Sequence, residues 1–182
     1  MTHDPQDDAR PGPDTRWTAA DGTALVLRPI APADIAMAGR FIDALSYGTR
    51  YFRFGKGDTR FSGDELAQVC SPDPTTRSHL IVVANGDTMA ASARYFVQDG
   101  GTSCDFALVV ADAWQGRGLG ARLLRALIDD ARRRGLSAMH CEVLATNARM
   151  LDFLKMQGFL PVPESEGAPV RRFSRPLDRQ DA

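Results

Sequence analysis

The sequence lacks the features that mark several large classes of protein. It has 22 lysines and arginines against 23 aspartates and glutamates, so its formal net charge is only −1. Proteins that bind nucleic acid usually carry a basic surplus, and this chain has none. No apolar run approaches the roughly 20 residues that a membrane-spanning helix needs. Neither nucleic acid nor a membrane is therefore expected as a partner.

Cysteine and histidine are too few and too scattered for a disulfide framework or a metal site. Cys70, Cys104 and Cys141 are odd in number and lie inside apolar segments. The three histidines do not stand four residues apart or beside a pair of cysteines, which are the spacings that zinc sites use. We expect no metal and three buried free thiols, as in a protein of the reducing cytoplasm.

The chain does contain enough apolar residues for one core. Hydrophobic residues make up 43% of its 182 residues, and that length suits a single domain. The first 16 residues hold four aspartates, three prolines and no apolar segment, which predicts a disordered N-terminal tail. We expect one folded domain over residues 17–177, followed by a short tail at 178–182.

The spacing of hydrophobic residues predicts a mixture of strands and helices. Alternation with period two indicates strands, and helical spacing with capping signals indicates helices. The segment 47–63 is aromatic, basic and glycine-rich, and is predicted to be a loop with a short helical turn. Together the elements predict an α/β or α+β fold with a mixed sheet. The strands are predicted at 24–30, 79–85, 88–98, 103–111, 137–145 and 170–177, and the helices at 32–46, 62–70, 121–135 and 146–158.

One loop has a pattern that carries chemistry. WQGRGLG (114–120) places three glycines between a predicted strand and a predicted helix. Small residues let the backbone approach a phosphate, and the unpaired N–H groups of the first helical turn point towards it. The phosphate loop of NTPases needs Gly-Lys-Ser or Gly-Lys-Thr, and the dinucleotide fingerprint needs a different glycine spacing. The pattern predicts an anion-binding loop of another kind.

This loop resembles a known signature. QGRGLG (115–120) is similar to the Q/R-x-x-G-x-G/A motif of the GNAT N-acetyltransferases, whose loop cradles the pyrophosphate of acetyl-CoA. LRPIAPADI (27–35) resembles the family's first strand and helix, and Asn147 followed by Gly158-Phe159 resembles a later helix and its end. The resemblance implies a GNAT fold: a mostly antiparallel sheet of six to seven strands, about four helices, and two splayed strands that form a cofactor wedge. Within the family, the chain looks most like the acetyltransferase domain of bacterial protein-lysine acetyltransferases.

The resemblance also implies which residues bind acetyl-CoA. The strand of Leu108, Val109 and Val110 would diverge from its neighbour, and its backbone would pair with the pantetheine arm. Asn147 would hydrogen-bond the cofactor near its thiol end. The amide groups of the loop and of the helix start would hold the pyrophosphate, and these belong to Gln115, Gly116, Arg117, Gly118, Leu119, Gly120 and Ala121.

The implied reaction needs a base, because a lysine amine is mostly protonated at pH 7. In the resembling protein acetyltransferases this base is a glutamate on the wedge strand. Asp105 stands at that position with a side chain one methylene shorter, and Glu142 and Cys141 on the neighbouring strand are the reserve candidates. The alternative for Asp105 is a strand-end carboxylate bonded to a turn. Many GNAT enzymes carry a tyrosine acid seven residues after the asparagine, but Leu154 occupies that position here. The resembling protein-lysine acetyltransferases also tend to lack this tyrosine.

These residues predict an acetyl-CoA-dependent N-acetyltransferase that acts on a protein lysine. A small-molecule amine is the alternative acceptor, and a non-catalytic acyl-CoA sensor is the alternative of another class. Arg50, Arg53 and Lys56 alternate with aromatic residues. They either line the acceptor side and favour an acidic acceptor, or reach out from aromatic core contacts. Monomer and homodimer are both left open.

Overall fold

The computed structural model describes residues 15–165 and 167–177. Residues 1–14, 166 and 178–182 lie outside this description, and with them most of the predicted N-terminal tail and all of the C-terminal tail. Eight strands of the described residues form one sheet, in the order β1-β2-β3-β4-β5-β6-β8-β7. The strands are β1 (Thr15–Thr18), β2 (Ala24–Pro29), β3 (Arg77–Ala84), β4 (Thr88–Val97), β5 (Ser103–Val110), β6 (Ala138–Leu144), β7 (Leu160–Pro161) and β8 (Val170–Pro176). The helices are α1 (Ile35–Ala44), α2 (Tyr47–Phe54), α3 (Gly63–Cys70), α4 (Leu119–Arg133) and α5 (Ala148–Met156).

The predicted fold class is confirmed, with small differences in the counts. The sheet is mostly antiparallel, and β5 and β6 form its parallel pair. The two strands that the hydrophobic pattern misses are β1 and β7, which have four and two residues. Strand β1 begins at Thr15, inside the predicted tail, because Thr15 and Arg16 pair with Leu27 and Val26 of β2. No helix in the described part of the chain is both long and apolar enough to cross a membrane.

Helix α2 lies where a loop with a short helical turn is predicted. Its two ends explain the difference. The Ser46 side chain accepts a hydrogen bond from the Thr49 N–H at the start, and Gly55 ends the helix with a φ of 77°. An N-cap serine and a left-handed glycine are strong boundary signals, whereas the aromatic and basic residues between them are weak helix formers. Capping, rather than propensity, fixes this helix.

The sheet separates two layers of helices. Helices α4 and α5 bury their apolar residues on one face, and α1, α2 and α3 cover the other. Along β5, Cys104 and Phe106 pack towards α4, whereas Val109 packs on the α1–α3 face. Because successive strand residues point to opposite faces, Asp105 and Ala107 share the α1–α3 face with Val109. The side chains of Asp105 and Ala107 therefore lie on the opposite face of the sheet from α4.

Strands β5 and β6 separate part-way along their length. They pair only at Ser103–Ala138, Cys104–Met139 and Asp105–His140. Beyond this point β6 continues with β8 as its partner, and β5 continues with β4. The edge of β5 that faces β6 is therefore free from Phe106 onwards, and the predicted cofactor wedge is present.

A buried polar cluster joins the sheet to α4. The Tyr95 hydroxyl donates a hydrogen bond of 2.6 Å to Oδ2 of Asp130, which is only 2% exposed. Arg134 lies 3.1 Å from the same carboxylate, and Arg133 lies 3.4 Å from its other oxygen. Burial, together with the bond to Asp130, raises the pKa of Tyr95. The tyrosine therefore stays a donor, and the buried carboxylate is satisfied by three partners.

Replacing Asp130 with alanine is expected to lower the free energy of unfolding by about 3–5 kcal/mol, because it leaves the buried Tyr95 hydroxyl without a partner and removes the carboxylate that faces the Arg134 guanidinium. Urea unfolding measures the loss. The control is Asp129→Ala on the neighbouring position, where the exposed carboxylate lies 3.6 Å from Arg132, and a surface pair of this kind contributes about 0–1 kcal/mol. Equal losses in the two variants would show that the buried cluster does not stabilise the fold.

Candidate active site

The wedge between β5 and β6 opens into a groove with a volume of about 670 Å³. Pockets for small molecules and cofactors usually measure about 300–1,000 Å³. The start of α4 closes one end of the groove, and α2 and α5 form its sides. Of the predicted site residues, the groove is lined by Leu108, Val109, Val110, Gln115, Gly116, Gly118, Leu119, Gly120, Ala121, Glu142 and Asn147. Arg117 and Asp105 lie outside its lining.

The glycine loop has the backbone conformation of an anion site. Gly116 and Gly118 have φ values of 76° and 79°, a region that other residues enter only with strain. Gly118 is the N-cap residue of α4, and no side chain caps the helix there. The first N–H groups of a helix have no partner within it, so those of Leu119, Gly120 and Ala121 are available to a bound anion. The helix dipole favours negative charge at the same point.

The Arg117 side chain is held away from the groove. Its guanidinium lies 2.6 Å from the Asp21 carboxylate and 4.9 Å from the centre of the Trp114 ring. Hydrogen bonds from Thr23 are the main reason that the pKa of Asp21 is lowered, and Arg117 adds to them. The side chain thus fastens the loop to the β1–β2 turn, and contact with a cofactor through this residue is left to its backbone.

The free edge of β5 presents backbone groups to the groove. The Ala111 N–H donates to the Ala90 carbonyl on β4 at 2.9 Å. Backbone groups of successive residues point to opposite sides of a strand, so those of Leu108 and Val110 point towards the wedge. The Val110 carbonyl already accepts a bond of 3.1 Å from Nε2 of Gln115. Leu108 therefore offers the unpartnered donor and acceptor that an extended ligand would pair with.

The Gln115 side chain ties three elements together at the mouth of the groove. Besides Val110 at the end of β5, its Nε2 donates to the Thr49 hydroxyl of α2 at 3.4 Å. Its Oε1 accepts a hydrogen bond from Arg149 of α5. The predicted binding residue thus lines the groove and also sets the distance between the groove's walls.

A hydrogen-bonded cluster around Asp112, which was not predicted from the sequence, attaches α2 to the loop. The Asp112 carboxylate accepts from the Ser46 N–H at 2.9 Å and from the hydroxyls of Ser46 and Thr49, both at 2.8 Å. Burial alone would raise the pKa of Asp112, but these bonds lower it below its usual value. The cluster fixes α2 beside the groove. No sequence spacing could identify it, because Ser46 and Asp112 are 66 residues apart.

Asn147 and Leu154 belong to the N-cap and the body of α5, and of the two only Asn147 lines the groove. Asn147 is the N-cap of this helix, and its Oδ1 accepts the Met150 N–H at 3.2 Å. Its side-chain N–H₂ group is what remains for a ligand. Leu154, at the position where many GNAT enzymes carry a tyrosine, is fully buried in the core. It contributes packing and no proton donor.

Asp105 lies at the closed end of the wedge. It occupies the last pair that joins β5 to β6, and the next residue, Phe106, lines the groove. Its carboxylate accepts a 2.5 Å hydrogen bond from Nε2 of Gln98, whose Oε1 in turn accepts a 2.7 Å bond from the Ser103 hydroxyl. Gln98 was not predicted from the sequence. It holds the carboxylate in place while leaving Asp105 partly exposed.

The reserve candidates on β6 have different surroundings. Glu142 is exposed and forms a 2.5 Å ion pair with Arg172 of β8. Cys141 is buried, and burial, together with the charges of Asp105 and Glu142, raises the pKa of its thiol to about 12. All three cysteines are buried and free, as predicted. Cys141 therefore lines the groove as a protonated apolar group.

The groove fits an acyl-CoA by the chemistry of its parts. The uncapped start of α4 would hold the pyrophosphate, and the free edge of β5 would pair with the amides of the pantetheine arm. Gly120 leaves room at the floor, since a Cβ there would already touch Val110 and Phe153 at 3.6 and 3.7 Å. Apolar contacts from Leu108 and Phe153 complete the walls.

Comparisons with known proteins agree with this geometry. The family model described as the acetyltransferase (GNAT) family matches residues 50–159. An acetyltransferase of Pseudomonas aeruginosa is 32% identical over 143 residues, which are 77% of this chain and 77% of that protein. The acetyltransferase Pat of Mycolicibacterium smegmatis is 30% identical over 162 residues, or 85% of this chain, but the chain spans only 47% of its length.

A solved structure extends the similarity to the whole fold. The GNAT domain of S. lividans PAT matches with a TM-score of 0.80 and 26% identity, over 90% of this chain and 96% of that one. Solved structures of the same fold contain acetyl-CoA or coenzyme A. The chain belongs to the GNAT family of acetyltransferases, which take acetyl-CoA as cofactor.

Proposed function

We propose that this enzyme transfers the acetyl group of acetyl-CoA to the side-chain amine of a protein lysine. The observation that carries the proposal is the position of Asp105, a held and partly exposed carboxylate at the closed end of the wedge. The similarity to Pat and to the PAT domain supports a protein acceptor. Because the chain spans about half of Pat, that likeness concerns only the matched part of Pat.

Each residue then has a defined task. When bound, acetyl-CoA supplies an activated thioester. The start of α4 and the edge of β5 bind and orient it, and Asp105 accepts the proton that the acceptor amine must lose. Its side chain is shorter than that of a glutamate by about 1.5 Å, a gap that one bridging water fills. Gln98 fixes the position of the carboxylate through its hydrogen bond.

The surface around the groove suits a protein acceptor. Tyr51 and Phe52 of α2 are about 40% exposed, and Met156 of α5 is 76% exposed. Phe52 and Met156 also line the groove, on opposite sides. Large exposed apolar side chains at the mouth of a site are typical of surfaces that bind another protein. We also propose a cytoplasmic location, because free thiols such as the three buried cysteines are typical of a reducing compartment.

Release of coenzyme A thiol tests the proposal. With acetyl-CoA in excess, we expect thiol release with lysine-containing peptides to exceed release with small amines such as spermidine at equal concentration. A preference for the small amines would replace the protein acceptor with a metabolite. Binding of acetyl-CoA without any thiol release, over a broad panel of both, would instead identify a sensor.

A further inference from the structure

A second, smaller cavity lies directly beneath α2. It has a volume of about 40 Å³ and lies between α1, α3 and the sheet. Two residues, Arg53 and Val109, line both this cavity and the main groove. The small cavity therefore adjoins the groove, on the face of the sheet that Val109 shares with Asp105. A space of this size holds a group of a few atoms rather than a long chain, and its polar lining consists of Arg53, Arg94, His79 and Ser92.

The polar groups of this cavity are strongly basic. Arg53 and Arg94 both line it. Their positive charges disfavour a further positive charge on a neighbouring group such as His79. No ion pair joins either guanidinium to a carboxylate within residues 15–165 and 167–177. The Nε of Arg53 is enclosed and has no hydrogen-bond acceptor. Both arginines are partly buried, and a charge that loses water without gaining a partner is destabilised, so an anionic ligand would stabilise this arrangement.

The neighbouring titratable groups do not neutralise the two arginines. His79 is buried, and burial, with the nearby arginines, lowers its pKa to about 4. It is therefore neutral at pH 7, and its Nδ1–H donates to the Val69 carbonyl while its Nε2 accepts from the Ser92 hydroxyl. Asp34 is engaged by both terminal nitrogens of Arg28 at 2.7 Å.

Two further charges lie close to Arg94 along the sheet. Arg77 adds positive charge and contributes to lowering the pKa of Arg94, although burial is the larger cause. Asp105, on the neighbouring strand, is hydrogen-bonded to Gln98 and forms no ion pair with Arg94. Burial likewise lowers the pKa of Arg53 to about 10, so Arg53 remains charged at pH 7. The acceptor end of the groove thus presents a net positive, anion-binding surface.

We propose that Arg53 and Arg94 bind a carboxylate of the acceptor, so that the enzyme prefers amines that carry a carboxylate close to the reacting nitrogen. This inference rests on the proposed acetyltransferase function and adds a requirement on the acceptor. Two guanidinium groups match the planar, two-oxygen shape of a carboxylate. The carboxylate belongs either to a small amino acid or to an aspartate or glutamate side chain beside a protein lysine.

Matched acceptors separate these two sources. L-lysine is compared with L-lysinamide, and a blocked peptide with a Glu-Lys sequence is compared with its Gln-Lys counterpart. We expect the carboxylate member of one pair to have the lower KM. In Arg53→Gln and Arg94→Gln, the KM of that member should rise by about ten- to hundredfold, with kcat little changed. Its amide counterpart, and the control Arg125→Gln on the exposed side of α4, should show no change, and Arg53→Lys should restore part of the preference.

The outcomes decide between this inference and the function on which it rests. Equal use of acid and amide by the native enzyme, or equal losses for both in Arg53→Gln, would overturn the carboxylate site. A calorimetric titration with N-acetylglycine and N-acetylglycinamide needs no turnover. If the native protein binds the acid more tightly and both arginine variants lose that difference, the carboxylate site stands even where no acceptor is acetylated. If the native protein binds the two alike, the site is refuted.

Discussion

Replacing Asp105 with asparagine is expected to lower kcat by about 10²- to 10⁴-fold, the usual contribution of a positioned general base. The affinity for acetyl-CoA should not change, because Asp105 lies outside the lining of the groove. Asparagine keeps an oxygen that can accept the Gln98 hydrogen bond, so the fold should be unaffected. Thiol release measures kcat, and calorimetry measures the affinity for acetyl-CoA.

Two variants show whether Asp105 acts as a base or only as a strand-end hydrogen-bond acceptor. Asp105→Glu keeps the carboxylate and should retain most of the turnover. Asp99→Ala, in the exposed β4–β5 turn, should leave both turnover and stability unchanged. Full turnover in Asp105→Asn would refute the assignment and direct attention to Glu142. A lower Tm with proportionate loss of turnover would show that the carboxylate merely supports the strand.

The structure brings most of the residues predicted to bind the cofactor into one groove, because most of them are near neighbours in the chain. The glycine loop, the wedge strand and the helix after it are consecutive in the chain, so their spacing carries the geometry. Ten of the eleven residues predicted to bind the cofactor line the groove. The exception, Arg117, has its partner in Asp21, and a contact across 96 residues leaves no trace in local spacing.

The acceptor half could not be predicted in the same way. It depends on α2, which was predicted to be a loop with a short helical turn because its aromatic and basic composition hides the Ser46 and Gly55 boundaries. The position of α2 depends on its hydrogen bonds to Asp112. Its Arg53 lines a cavity together with Arg94 and His79, which lie on other strands. Tertiary contacts decide all of these. The sequence shows the basic character of the segment, but not that the Nε atoms of Arg50 and Arg53 are enclosed without an acceptor.

The β5–β6 splay shows why fold and function are linked in this chain. Parallel pairing stops after Asp105, although the residues that follow remain typical of strands. The neighbouring α4 starts directly above the gap, so the backbone groups that the sheet leaves unpaired face the same groove as the uncapped amides of the helix. The lost ladder hydrogen bonds thus become binding groups for an extended ligand.

Replacing Gly118 with glutamate is expected to weaken acetyl-CoA binding by at least about 10³-fold. A carboxylate about 4 Å from a phosphate charge costs about 4 kcal/mol at an effective dielectric constant of 20, and each 1.4 kcal/mol is a tenfold change. Calorimetry with acetyl-CoA measures the loss. The left-handed backbone of Gly118, with a φ of 79°, adds a strain that lowers stability independently of the charge.

Gly135 provides the matched control for that strain. It follows the other end of α4, has a φ of 76°, and has no atom within 4 Å of a Cβ placed on it, as is also true of Gly118. Gly135→Glu should therefore lower the Tm by a similar amount, yet bind acetyl-CoA like the native protein. Gly118→Ala should carry the strain without the charge and lose only a small part of the affinity. If Gly118→Glu binds acetyl-CoA as tightly as Gly135→Glu does, the start of α4 is not the phosphate site, and the binding geometry proposed for the groove is wrong.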